Sequence, residues 1–160
     1  MFKQLISVLA DAVKARLYAV PYALDIQPSG AFDFLLMRTL PGKRLAFAFR
    51  KLAASPVYET LAQARSEARG LTRAMWLWRE VGLYLMLCGS ESLWRDHTHQ
   101  APADRTGLHH VIIQAVHFVD PQTGATHLNQ SAWGSIHFGG VDLLAALVNE
   151  VVSKGRPNGV

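Results

Sequence analysis

The sequence is poor in several things at once, and each shortage removes a class of protein. It has one cysteine, Cys88, among 160 residues, so no disulfide can form within the chain and a reducing compartment, the cytoplasm, is the natural expectation. Its longest uncharged apolar run is the eight residues from Val81 to Cys88, far short of the roughly 20 that a membrane helix needs. The opening Met-Phe-Lys-Gln-Leu-Ile-Ser-Val-Leu-Ala resembles the start of a signal peptide, but Asp11 and Lys14 interrupt the apolar stretch, and a helix of the mature protein is the better reading. No G-x-S-x-G elbow, P-loop, G-x-G-x-x-G, H-E-x-x-H or zinc-finger cysteine pair occurs. Cys88 lies in apolar surroundings that would raise its thiol pKa and leave it unreactive.

What is present is unevenly distributed. Residues 1 to 80 carry twelve Lys and Arg against six Asp and Glu, a net of +6; residues 81 to 160 carry four against six, a net of −2. All seven histidines fall between His97 and His137. The whole chain has a formal charge of +4, within the range of ordinary soluble domains but compatible with attraction to nucleic acid.

Periodicity outlines one domain over residues 1–160. Phe2, Leu5, Ile6, Leu9, Val13 and Leu17 recur at helical spacing, which predicts an amphipathic helix from 2 to about 19, ended by Pro21. Turn residues Gln-Pro-Ser-Gly and Leu-Pro-Gly-Lys bracket Ala31 to Leu40 and Lys43 to Leu52, a β-hairpin preceded by a short strand at Ala23 to Ile26. Ser55 and Pro56 open a helix reaching about Arg69. Leu71 to Cys88 fits either a helix or a buried strand, and its Leu and Met content favours helix ending before Gly89. Gly89 to Leu108 reads as a long connection with one helical turn near Leu93. A second strand pair is expected at His109 to Val119 and Ala125 to Phe138, joined by Asp-Pro-Gln-Thr-Gly. A last helix is expected from Val141 to Ser153. The fold class is therefore α+β: an N-terminal helix, a β-hairpin, a central helical segment, a second antiparallel strand pair and a C-terminal helix packed on the sheet.

Two places carry candidate chemistry. Arg65, Arg69 and Arg73 are spaced by four beside an apolar stripe of Leu61, Ala64, Ala68, Leu71 and Met75, so a continuous helix would set them in a row able to track phosphates. Lys43 and Arg44 extend that surface if the fold brings them near, and Trp94 with Arg95 in the long connection is a candidate exposed contact. The plain alternative is a solvated helix face offset by Glu59 and Glu67. The second place is the histidine cluster. If Val119 pairs with Ala125, His117 stands opposite His127, about 5 Å apart at Cβ, close enough to share a divalent metal. Asp96, His97 and His99 would complete such a site from the connection, although a one-residue slip in register would separate the pair.

The leading expectation is a small non-catalytic binding protein or subunit whose basic first half contacts a macromolecular partner, a nucleic acid or a protein assembly, without a membrane. The alternative is a histidine-based, metal-dependent hydrolase.

Overall fold

The structure, a computed structural model, describes residues 2–24, 32–41, 43–54, 56–73, 80–98, 111–130 and 141–155. Among these, three helices and six strands are arranged about one mixed sheet, an α+β architecture. The helices are α1 (Phe2–Leu17), α2 (Val57–Thr72) and α3 (Val141–Gly155). The strands are β1 (Val20–Leu24), β2 (Phe34–Leu40), β3 (Lys43–Lys51), β4 (Val81–Cys88), β5 (Val111–Val119) and β6 (Thr126–Gln130). Strand order in the sheet follows chain order. β1–β2, β2–β3 and β5–β6 are antiparallel, whereas β3–β4 and β4–β5 are parallel. Parallel neighbours need a crossover, and α2 is the one between β3 and β4.

Both faces of the sheet are covered. On one face α1 and α3 pack over Leu36, Phe47, Phe49, Tyr84, Met86, Ala115 and Val119. On the other, α2 and Trp94 pack over Ala46, Ala48, Leu83, Leu85, Ile113, Val116 and Phe118. Alternation in β3 suits this division: Phe47 and Phe49 fill the first layer, and the small side chains of Ala46 and Ala48 let α2 approach on the second.

Coverage on both sides also corrects the helix expected over Leu71 to Cys88. The α2 helix continues through Gly70 and stops at Thr72, where Arg73 takes a left-handed conformation (φ 49°) and its N–H donates to the Arg69 carbonyl. The chain re-emerges as β4, buried at all eight positions. A strand buried on two faces and paired in parallel reads as a continuous apolar run rather than an alternating one, which is why its composition resembled a helix. At the other end of α2, Pro56 stands just before the first helical residue instead of opening the helix. Helix α1 ends at Leu17, two residues early, and Leu71 is exposed rather than part of the packed stripe, which is Val57, Thr60, Leu61, Ala64, Ala68 and Thr72.

The connection after β4 opens with two short 3-10 turns, Glu91–Leu93 and Arg95–His97. The expected extension of β6 to Phe138 lies beyond Gln130, outside the described residues. No described helix is long and apolar enough to cross a membrane.

Candidate functional site

The end of the sheet where β2 stops and β3 and β4 begin gathers basic side chains from three elements. In the β2–β3 pairing Leu40 opposes Lys43, so Arg38, two residues before Leu40, and Lys43 share the face that carries α1 and α3. Helix α1 delivers its last turn to the same corner: Tyr18, directly after it, stands at φ 54°, and the Arg38 guanidinium lies 5.6 Å from its ring centroid. On the opposite face Arg44 donates through Nη1 to the Thr72 carbonyl at 2.8 Å, which fixes the C-terminus of α2, and with it Arg69 and Arg73, against the start of β3. An acidic residue, Glu80, also stands at this end, its backbone carbonyl accepting the Arg44 N–H at 3.2 Å.

Part of this positive charge answers the backbone. Both α1 and α2 direct their C-termini here, and a helix C-terminus carries a partial negative charge that favours cations. Arg44 therefore positions α2. Arg69 and Arg73 remain exposed, and Arg65 sits half-buried one turn back. The expected row thus exists on α2 for Arg65 and Arg69, with Arg73 at its cap, and the fold does bring Lys43 and Arg44 to it.

Trp94 and Arg95 are not part of this surface. Trp94 is 3 % exposed, stacks on Phe118 with centroids 5.6 Å apart, and donates Nε1–H to the Gly89 carbonyl at 3.1 Å. The expectation of an exposed contact fails because the 3-10 turns fold back over β5. Arg95 is engaged by Glu91 at 2.8 Å, at the opposite end of the sheet. That end carries both signs, with Arg50 and Lys51 on the last residues of β3 and Arg95 beside Glu91: Asp33 accepts the Lys51 N–H at 2.8 Å, and Asp120 accepts the N–H groups of Glu91 (2.9 Å), Gln122 (2.8 Å) and Thr123 (3.3 Å). Burial pushes the Asp120 carboxyl up, but these donors outweigh it and its pKa falls below the ordinary value.

The cross-strand histidine pair is also overturned. Val119 pairs with Thr126 rather than Ala125, because Asp120 and Ala125 close the turn with an N–H to carbonyl bond of 2.8 Å and Gly124 takes φ 71°. The register moves by one, His117 faces Leu128, and His127 faces Phe118 on the other side of the sheet. His117 is buried, and its pKa is pushed down to about 4 by burial. His127 is exposed, its ring 6.4 Å from that of Phe118. Asp96 and His97 are exposed on the second 3-10 turn, and His99 lies outside the described residues. Among the described residues no three His, Cys, Asp or Glu side chains form a metal-binding group. The Cys88 thiol is buried, and burial, followed by the charge of Asp33, raises it to about 12, as its apolar surroundings implied.

A groove of about 580 Å³ runs between α1 and α3 beside the β5–β6 turn, walled by Leu5, Val8, Ala12, Leu147 and Val151. Its charged groups are already engaged: Glu150 accepts from Lys154 at 2.6 Å and from Arg16 at 2.7 and 3.1 Å, and both hold its carboxylate below the usual range.

Tyr18 and Arg38 were not legible as site residues in the sequence. Tyr18 is off the apolar stripe of α1, a weak sign of exposure, but its meeting with Arg38 depends on how α1 crosses β2. Comparison of the chain with protein-family models, with curated proteins and with solved structures finds no match.

Proposed function

We propose that this protein is a non-catalytic binding module that contacts the phosphate backbone of a nucleic acid with the basic end of its sheet. Arg69, Arg73, Arg38 and Lys43 meet phosphates, Arg65 extends the row along α2, and Arg44 holds the end of α2 in position. The observation that carries this reading is the Arg44 bond to the Thr72 carbonyl, which joins basic residues of β3 to those of α2, 28 residues apart in the chain, at one surface.

The test is fluorescence anisotropy with a labelled oligonucleotide over a salt series. Affinity should fall by orders of magnitude between about 50 and 200 mM salt, and Arg69→Ala and Arg73→Ala should each lower the slope of log K against log salt by about 1. Affinity that does not change with salt, or no binding at low salt, overturns the reading.

A further inference from the structure

We infer that Tyr18 is a stacking platform for an unpaired base, so that the ligand of the basic end is single-stranded nucleic acid; this rests on the phosphate-binding reading above. Three features of one residue converge. Tyr18 is 75 % exposed, the most exposed large hydrophobic side chain among the described residues. Large aromatic side chains ordinarily bury themselves, as Tyr84 does against Phe47 at 5.1 Å.

Its backbone is held at φ 54°, at the helix end where glycine or asparagine is the unstrained choice. A bulky residue in the left-handed region is strained by about 1–2 kcal/mol. Strain of this kind persists where the surroundings enforce it and clusters at ligand contacts. Here it ends α1, as the same conformation at Arg73 ends α2, and leaves the Tyr18 side chain exposed.

The Arg38 guanidinium lies over the ring at 5.6 Å, a cation–π contact that holds the ring in place. Lys43 projects from the same face of the sheet two positions along the hairpin. An aromatic face with cations beside it is the arrangement that binds single strands: the ring stacks a base, and the cations follow the backbone on either side. A duplex keeps its bases stacked on one another and offers none to the ring. The other strongly exposed tyrosine, Tyr58, lacks this setting, because its hydroxyl donates to Glu59 on the same helix and no cation lies over it among the described contacts.

The experiment compares a labelled oligothymidylate single strand with a duplex of equal length, at one low salt concentration, for the wild type, Tyr18→Phe, Tyr18→Ala and Tyr18→Gly. The wild type should prefer the single strand. Tyr18→Phe should keep that preference, and Tyr18→Ala should weaken single-strand binding by about 5- to 100-fold with an unchanged salt slope. Tyr18→Gly relieves the backbone while removing the ring, so it should fold at least as well as the wild type and bind as poorly as the alanine variant. Equal binding by the alanine, glycine and wild-type proteins, or a preference for duplex, overturns the stacking role while leaving phosphate contact in place. Failure of the wild type to bind either oligonucleotide overturns both readings.

Discussion

Single side chains in this protein owe their properties to which side of the sheet they reach. His117 would be an ordinary titrating imidazole on a surface strand, but in β5 it is sealed under α1 and α3, and its Nε2 has no hydrogen-bond partner among the described residues. Burial lowers its pKa to about 4 from the ordinary 6.5. Above pH 6.5 the imidazole is neutral whether the chain is folded or not, so its contribution to stability is constant. Between pH 6.5 and about 4 the unfolded chain takes up a proton that the folded chain refuses, and stability falls, by about 3 kcal/mol over the window if the whole difference is expressed. Urea unfolding at pH 7 and pH 4.5 measures this. His117→Leu should lose less stability than the wild type on acidification, and an identical loss would show that other groups govern the acid limb. Trp94 illustrates the same dependence on placement. It stands beside Arg95 in a polar stretch, yet it is core, and only its stacking on Phe118 and its bond to the Gly89 carbonyl reveal this.

At the scale of elements, helices with an amphipathic stripe and a breaker were legible, and strands whose setting is decided elsewhere were not. The α1 stripe is present in the sequence because one face of that helix meets one layer of core. The β4 strand is misleading because α2 covers one side and α1 with α3 the other, so no polar position marks a period. Register is subtler still. In β5, Gln114 is the extra residue where Leu83 pairs with Ile113 and Tyr84 with Ala115. This bulge reverses the alternation, so that Ile113 and Val116 share a face while His117 turns to the other. Gly70 offers a clean test of an element. It lies within α2, and a Cβ placed there meets nothing within 4 Å. Gly70→Ala should therefore stabilise the protein by about 0.5–1 kcal/mol, seen as a higher urea midpoint at unchanged slope, and a lower midpoint would contradict a continuous helix. Gly89 is the opposite case: a Cβ would stand 3.0 Å from that of Leu52, at the point where the ends of β3 and β4 close together.

For the molecule as a whole, the sheet is the shared wall of two hydrophobic layers, and neither layer is complete without it. Leu85 serves the α2 side and Met86, its neighbour, serves the α1 and α3 side. Truncating either to alanine should cost about 2–5 kcal/mol and move a single unfolding transition, coincident by tryptophan fluorescence and far-UV circular dichroism. Separate transitions would mean that the layers unfold independently. The same sheet gathers Arg38, Lys43, Arg44 and Arg73 at one end, while at the other Asp33, Glu91 and Asp120 are mixed with Arg50, Lys51 and Arg95. The α+β class, the amphipathic helices and the excess of cations before residue 80 were settled by local composition and period, because each depends on neighbours within a few residues. Tertiary structure alone decided that His117 and His127 part to opposite faces, that Trp94 is buried, and that Tyr18 meets Arg38. Those outcomes depend on the close of the β5–β6 turn, the fold-back of the 3-10 turns over β5 and the crossing of α1 over β2, none of which a local pattern of residues displays.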